Sequence, residues 1–305
     1  MLAQHKIVEV NNLVKHYGTF CALHNVSFDV YAGDIFGFLG PNGAGKSTTI
    51  RTILSLIQPT SGTINLFGKP LHANRNAVLS KIGCIVEKPD FYKYLSAEKN
   101  LEIFARISGV TLSKTKIHEL IDFVGLKGRE RDKVAGFSHG MKQRLGIAQT
   151  LLNDPELILL DEPTTGLDPQ GIIDIRNLIL QLKTERNKTI ILSSHILSEI
   201  ELIANRMIII NKGKTVVQGN VTDLLNSQEL VVDFTVNDVA KAKQVLGTSA
   251  FANTIDVAMH NSLLLHTSHE SIAHINKLLC DNNIQITAIE TKRKLEDYFL
   301  KLISA

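Results

Sequence analysis

A glycine-rich segment that ends in a lysine and a serine carries the strongest chemical signal in this sequence. It fits the pattern G-x-x-x-x-G-K-[ST] in full and consists of Gly40, Pro41, Asn42, Gly43, Ala44, Gly45, Lys46 and Ser47. Glycines allow successive backbone N–H groups to face an anion, and a helix that follows directs its positive end to the same place. The segment predicts a phosphate-binding loop, in which Lys46 reaches the β and γ phosphates and Ser47 ligates Mg²⁺. A purely structural turn is the alternative.

Two carboxylates directly follow the apolar run Leu157 to Leu160. Because side chains alternate along a strand, Asp161 and Glu162 point to different positions. We expect Asp161 to hold Mg²⁺, directly or through water, and Glu162 to polarise the attacking water in phosphoryl transfer. Two solvated carboxylates at a strand end are the alternative interpretation.

These residues need a sheet that brings strand ends together. Ile35 to Leu39, Leu157 to Leu160 and Thr189 to Leu192 are buried-strand candidates. The glycine-rich segment follows the first, and polar residues follow the other two. Apolar strands that alternate with helical patterns indicate a mostly parallel sheet in an α/β fold. Ligands of such sheets bind at the carboxyl ends of the strands, where the candidate residues lie.

The order of these motifs resembles the ATP-binding subunit of ABC transporters over about residues 5 to 220. Phe137 to Leu145 is similar to that family's signature loop, and Thr165 to Pro169 is similar to the loop that joins two subunits. His195 matches the switch histidine that contacts the γ-phosphate, and Tyr17 matches the aromatic residue that stacks on adenine. Taken singly, each has a structural alternative, such as a core aromatic, a structural histidine or a helix cap.

The resemblance implies a P-loop NTPase (RecA-like) core with an antiparallel β subdomain and a helical subdomain. The expected domains are 1–220, with the helical subdomain at about 90–153, and a small α+β domain at 221–305. ATP and Mg²⁺ are the implied cofactors, and Glu162, His195 and Lys46 are the implied catalytic residues. The further nucleotide contacts are Tyr17, Thr48, Ser138, Gly140 and Asp168.

The resemblance also implies an assembly, because one chain carries one phosphate loop and one signature loop. In the family these loops face each other between two head-to-tail copies with twofold symmetry. Ser138 and Gly140 of one copy would then complete the phosphate site of the other. A separate integral membrane permease is the second implied partner, at the cytoplasmic face of a bacterial membrane.

Two residues depart from the commonest family pattern. His139 stands where the signature loop usually has the first of two adjacent glycines. Glu87 stands at the end of a strand where the family usually has a glutamine that touches Mg²⁺ and the permease. A carboxylate adds negative charge near the metal, so we include Glu87 among the predicted metal-site residues.

The chain is more similar to the subgroup that protects bacteria against bacitracin and lantibiotic peptides. The supporting segments are Ile85 to Tyr92, Phe137 to Leu145 and the ending Leu295 to Leu302. An ATPase of the same family that acts on ribosomes is the alternative, although such chains usually carry two cassettes. Phe91, Tyr92 and Tyr94 are candidates for the permease contact, with ordinary packing between subdomains as the alternative.

Composition narrows the remaining possibilities. The formal net charge of +3, from 33 basic and 30 acidic side chains, does not favour a nucleic-acid partner. The three scattered cysteines indicate reduced thiols in a cytosolic protein. We expect neither a secretory signal nor a membrane span, because the longest apolar runs are strand-sized and a span needs roughly 20 apolar residues.

The last third of the chain lacks chemical motifs. A hairpin is expected for Arg206–Ile210 and Lys214–Gln218, followed by a domain boundary near Gly219 to Thr222. Beyond it, strand patterns occupy Leu230–Val236 and Ser262–Thr267, and helical patterns occupy Ala240–Leu246 and Ser271–Asp281. These patterns predict the small α+β domain.

Overall fold

The computed structural model describes residues 5–226, 230–259 and 262–293. Contacts within the chain divide it into two units, Met1–Val221 and Thr222–Ala305. The strands of the first unit are β1 (Lys6–Tyr17), β2 (Phe20–Tyr31), β3 (Ile35–Leu39), β4 (Ser61–Leu66), β5 (Lys69–Pro70), β6 (Ile82–Ile85), β7 (Leu157–Leu160), β8 (Thr189–Ser194), β9 (Arg206–Asn211) and β10 (Lys214–Asn220). Its helices are α1 (Lys46–Ile53), α2 (Leu71–Leu79), α3 (Ala97–Ile107), α4 (Lys114–Phe123), α5 (His139–Thr150), α6 (Pro169–Thr184) and α7 (Leu197–Glu201), and α8 (Val221–Asn226) follows at the boundary.

A six-stranded sheet in the order β10-β9-β3-β8-β7-β6 forms the centre of the first unit. Five of its strands run parallel, and only β10 pairs antiparallel, with β9. Every residue of β3, β7 and β8 is buried, as expected for parallel strands that are covered on both faces. The predicted mostly parallel sheet and the predicted β9–β10 hairpin are confirmed.

A second, four-stranded sheet in the order β2-β1-β4-β5 packs on the first. Its pairings are antiparallel. Phe28 of β2 stacks on Phe36 with ring centroids 5.5 Å apart and meets Phe38 edge-on at 5.3 Å. These three buried rings join the two sheets, which share one hydrophobic core.

Helices α3, α4 and α5 all lie within the range expected for the helical subdomain. Serines begin each of them: Ser96, Ser113 and Ser138 accept hydrogen bonds from the backbone N–H groups three residues further on. In this segment Phe91 is buried and packs edge-on against Phe104.

The second unit has its own core and a βαββαβ order. Its elements are β11 (Leu230–Val236), α9 (Val239–Gly247), β12 (Ile255–Met259), β13 (Ser262–Thr267), α10 (His269–Asp281) and β14 (Ile286–Arg293). The antiparallel sheet has the order β12-β13-β11-β14, the arrangement of a ferredoxin-like fold. The two predicted strands and two predicted helices are confirmed. The ending Leu295 to Leu302 lies outside the described residues.

Across the described parts of the chain, we find no helix with the length and apolar character that crossing a bilayer requires.

Candidate functional site: a phosphate cradle at the head of three strands

The phosphate loop runs from the end of β3 into α1, as its sequence predicts. Gly45 has a φ of 108°, and a Cβ there would lie 2.7 Å from Leu23 Cδ2. A Cβ on Gly40 would lie 2.4 Å from the carbonyl oxygen of Ile210. Glycine is therefore required at both positions, because a side chain would clash with the packed sheets. The loop lies where the amino terminus of α1 can attract an anion.

Lys46 is buried inside this loop, with 4% of its surface exposed. Its Nζ donates to the carbonyl oxygen of Gly40 at 2.7 Å and lies 3.1 Å from Oε1 of Glu162. A buried ammonium needs such partners, because desolvation without them is costly. Lys46 is thus a cation held at the centre of the phosphate loop, where a phosphate oxygen could replace the Glu162 carboxylate.

Glu162 connects three candidate residues of the site. Its Oε2 accepts a hydrogen bond from Oγ1 of Thr165 at 2.8 Å and lies 3.0 Å from Nδ1 of His195. Burial raises the pKa of the Glu162 carboxyl, but hydrogen bonds from Thr165 and Lys46, with the charges of Lys46 and His195, outweigh burial and lower it overall. The carboxylate therefore stays ionised at neutral pH.

The backbone of Glu162 takes an uncommon conformation for a residue with a side chain. Its φ of 47° lies in the left-handed region, where non-glycine residues are strained. Its N–H donates to Oγ of Ser193 at 2.9 Å. This turn directs the carboxylate of Glu162 to Lys46 and His195, whereas Asp161 remains 8% exposed beside β8.

Asp161 and Ser47 have the donor chemistry for a magnesium ion. A carboxylate and a hydroxyl are hard oxygen ligands, and Mg²⁺ in nucleotide sites is held by few protein ligands together with phosphate oxygens. Oδ1 of Asp161 accepts a hydrogen bond from Oγ of Ser193 at 2.5 Å. The residues present therefore fit the ion, and the hydrogen bond from Ser193 orients the Asp161 carboxylate.

Glu87 is engaged elsewhere in this structure. Its carboxylate forms an ion pair with the Arg51 guanidinium of α1, and 71% of its side chain is exposed. The backbone of Glu87 has a φ of 70°. A role of Glu87 at the metal site stays a prediction. Its pairing with Arg51 was not predicted from the sequence.

The signature-loop residues and Asp168 take local roles within the chain. Oγ of Ser138 accepts from the N–H of Met141 at 3.2 Å, and Oδ1 of Asp168 accepts from the N–H of Gly171 at 3.2 Å. Both side chains thereby cap helices. Among the described residues, no hydrogen bond or ion pair joins Ser138 or Gly140 to the phosphate loop of the same chain.

His139 contacts the loop that the resemblance places between two subunits. A Cβ built on Gly166 would lie 3.2 Å from Cε1 of His139, so the ring packs directly on that glycine. Gly166 has a φ of 78°. The histidine therefore fills space between the signature loop and the segment from Thr165 to Pro169.

Tyr17 lies at the end of β1 and is 46% exposed. The ammonium of Lys15 sits 4.9 Å from the centroid of the Tyr17 ring and donates to the carbonyl oxygen of Gln58 at 2.7 Å. An exposed, supported ring of this kind can stack on a base. Lys15 and Tyr17 are two residues apart on a strand and therefore share one face. This spacing is the sequence signal that could have predicted their contact.

The aromatic residues near Glu87 divide between core and surface. Tyr92 is 42% exposed and Tyr94 is 69% exposed, whereas Phe91 is 7% exposed. The prediction that Phe91 contacts a permease is wrong, because its ring is buried against Phe104. Tyr92 and Tyr94 remain available on the surface.

Comparisons with known proteins agree on one family. The family profile described as ABC transporter matches residues 23–165. The chain is 42% identical to the bacitracin transport ATP-binding protein BcrA of Bacillus licheniformis, over 97% of each chain. It is also 42% identical to the lantibiotic transport ATP-binding protein SrtF of Streptococcus pyogenes, over 73% of this chain and 98% of the relative.

A solved structure matches most of this chain in shape. The ATP-binding cassette MJ0796, described as dimeric in a post-hydrolysis state with ADP and phosphate bound, superposes with a TM-score of 0.64 at 25% identity. The match covers 70% of this chain and 98% of that chain. The predicted α/β cassette fold is confirmed by this likeness and by the central sheet.

Proposed function

The chain belongs to the family of ATP-binding subunits of ABC transporters, and from this premise we propose that it powers a separate permease which removes peptide antibiotics. It is an ATPase, and Mg²⁺ is its proposed metal. The observation that carries the proposal is the meeting of Lys46, Glu162 and His195 at the carboxyl ends of three neighbouring strands. Relatives named for bacitracin and lantibiotic transport support the substrate class.

Each residue of the cluster has a proposed task. Lys46 leaves Glu162 to bind the β and γ phosphates, and the released carboxylate of Glu162 orients the attacking water. His195 contacts the γ-phosphate from the adjacent strand end. Bound through Ser47 and Asp161, Mg²⁺ would neutralise charge on the phosphate oxygens. Glu162 is ionised at neutral pH, as an acceptor of the water proton must be.

The proposed working form is a head-to-tail dimer in which Ser138 and Gly140 of one copy complete the phosphate site of the other. Two variants test this. Lys46→Ala removes the phosphate-loop cation. Gly140→Asp places a negative charge at the first turn of α5, where the fold has room because the nearest atom to a new Cβ is 4.0 Å away. An acidic residue in a first helical turn does not disfavour the helix.

Each variant alone is expected to be inactive, but their mixture should regain activity. A mixed dimer holds one site with both defects and one site with neither. With equal amounts, roughly a quarter of the wild-type rate should return if each intact site works alone. Gly136→Asp, also in open space and just before the signature loop, is the matched control and should retain activity by itself. A mixture as inactive as its components would contradict the shared site.

The permease and the substrate class need a cellular test. Tagged chain purified from membranes of its own host should bring down a polytopic membrane protein, whereas ribosomes would support the alternative ATPase. Replacing the chain by Lys46→Ala should sensitise that host to bacitracin or a lantibiotic. Sensitivity to an antibiotic that is not a peptide should not change. Equal sensitivity to the peptides would exclude this substrate class.

A permease contact is proposed for the exposed Tyr92 and Tyr94, which lie in the segment that leads from Glu87 into the helical subdomain. Aromatic rings are favoured anchors at protein interfaces. Tyr94→Ala should reduce co-purification of the permease while ATP binding by the isolated chain is unchanged.

A further inference from the structure

Ser193 lies near the end of β8, beside Asp161 and Glu162, which follow β7. Its side chain is fully buried. The hydroxyl donates to Oδ1 of Asp161 at 2.5 Å and accepts from the backbone N–H of Glu162 at 2.9 Å. One hydroxyl thereby contacts both the proposed metal ligand and the residue that carries the proposed catalytic carboxylate.

The two hydrogen bonds constrain a side chain in one case and the backbone in the other. The bond to Asp161 occupies one carboxylate oxygen and fixes the side-chain rotation, so that Oδ2 is left for a metal. The bond from Glu162 satisfies a part-buried N–H at the point where the backbone enters the left-handed region. Groups that hydrogen-bond to metal ligands from behind orient them and tune metal affinity.

We propose that Ser193 is a positioning residue for this ATPase, which sets Asp161 for Mg²⁺ and holds the turn that directs Glu162 at the nucleotide. This inference rests on the proposed magnesium and nucleotide roles of the site. Ser193 acts through Asp161 and Glu162, and the phosphate loop can bind nucleotide phosphates without it.

The alternative is that Ser193 contributes only to stability, as any buried hydrogen-bonded hydroxyl does. Thr189 provides the matched control for this alternative. It lies on the same strand and the same face as Ser193, is 3% exposed, and its Oγ1 accepts from the N–H of Gly33 at 3.0 Å. Thr189 is at the opposite end of β8, remote from the carboxylates.

The experiment compares Ser193→Ala, Ser193→Thr and Thr189→Ala with the wild-type full-length chain. The first readout is equilibrium binding of a fluorescent ATP analogue in EDTA and across a Mg²⁺ titration. The second is the steady-state rate of hydrolysis, resolved into kcat and KM. Thermal melting of all variants measures the purely structural effect.

We expect Ser193→Ala to bind the analogue in EDTA as the wild type does, because the phosphate loop is intact. Its half-saturating Mg²⁺ concentration should rise about tenfold, within the range measured for partners of metal ligands. Its kcat should fall by a larger factor than its KM changes. Ser193→Thr keeps the hydroxyl and should restore both quantities. Thr189→Ala should melt earlier but show the wild-type Mg²⁺ dependence.

An unchanged Mg²⁺ dependence in Ser193→Ala, or an equal shift in Thr189→Ala, would overturn the proposal. If Ser193→Ala does not fold, Ser193→Cys gives the same comparison, because a thiol is a weaker donor than a hydroxyl. Failure of the wild-type chain to bind the analogue at all would instead contradict the proposed nucleotide function, and the two failures are therefore distinguishable.

Discussion

The ammonium of Lys46 and the carboxylate of Glu162 lie 3.1 Å apart at the centre of the site. In this structure the positive charge of Lys46 in the phosphate loop and the negative charge of Glu162 after β7 neutralise each other. In the proposed mechanism, a nucleotide competes with Glu162 for Lys46. Binding of phosphate to Lys46 would then free the Glu162 carboxylate for its proposed catalytic role, so the two steps would be linked through this ion pair.

Replacing Glu162 by Gln removes both the competitor for Lys46 and the proposed water-orienting charge. We expect hydrolysis to fall by about 10²- to 10⁴-fold, the usual contribution of a general base. ATP should bind at least as tightly as before, and the ATP-bound dimer should persist in size-exclusion chromatography with ATP and Mg²⁺. Glu156→Gln, which removes an exposed carboxylate paired with Lys81, is the control. Near-normal hydrolysis in Glu162→Gln would exclude Glu162 from its assigned role.

Tyr17 is proposed as the stacking surface for adenine, with Lys15 supporting its ring. Removing a stacking partner costs about 1 to 3 kcal/mol per base, so Tyr17→Ala should weaken ATP binding by roughly 5- to 150-fold. Tyr17→Phe should retain affinity because the ring remains. Phe20→Ala tests an exposed ring directly across the hairpin and should have little effect. If Phe20→Ala were as damaging as Tyr17→Ala, the assignment would be wrong.

Glu87 is expected to affect coupling to the permease and not ATP binding. The pair with Arg51 is exposed at 71% and 39%, so its loss should cost at most about 1 kcal/mol of stability. Glu87→Gln and Arg51→Gln should both fold and bind ATP, while permease-stimulated hydrolysis or transport in a reconstituted complex changes. Lys88→Gln, an exposed neighbour, is the control. Unchanged transport in both variants would leave no special role for the pair.

Glu98 of α3 makes a contact that is sensitive to acid. Its hydrogen bond with His118, only partly offset by burial and reinforced by Lys114, lowers the pKa of this buried carboxyl below the ordinary 4.5. The native state then binds fewer protons than the unfolded chain, so the stabilisation is complete above about pH 4.5 and is lost as the pH falls through the lowered value.

At neutral pH, Glu98→Gln should lower the free energy of unfolding by about 1.5 to 3 kcal/mol, the contribution of a hydrogen bond to a charged group. The difference from wild type should shrink below pH 4.5 in urea titrations. Glu119→Gln, which breaks the exposed pair with Lys116, should have almost no effect at either pH. A constant difference between pH 7 and pH 3 would contradict the ionised state of Glu98.

The contiguous parts of the site were predictable because their chemistry is local. The residues from Gly40 to Ser47 specify a curled loop by themselves, and the apolar runs before Asp161 and His195 specify buried strands that end at those residues. Period-two and helical patterns likewise located β11, β13, α9 and α10 of the second unit, whereas β12 and β14 were not predicted. Its sheet order was not predictable, because strand patterns do not state which strands pair.

Contacts between distant segments were beyond the sequence. Phe91 and Tyr92 are adjacent aromatic residues that both pack on Phe104, yet the tertiary structure buries the first and leaves the second 42% exposed. The pairing of Glu87 with Arg51 depends on where β6 ends relative to α1. The sequence alone does not give the distance between the end of β6 and α1.

The sequence by itself determined that the chain binds phosphate and belongs among ATP-driven cassettes, since backbone geometry at the loop follows from glycines at fixed spacing. The tertiary structure decided which groups act on one another there. It placed Lys46 against Glu162 and brought the hydroxyl of Ser193 to the Asp161 carboxylate and to the backbone N–H of Glu162. The physical reason is that neighbouring parallel strands bring their carboxyl ends to one edge of the sheet, and hydrogen bonds of 2.5 to 3.1 Å form only once those strands are in register.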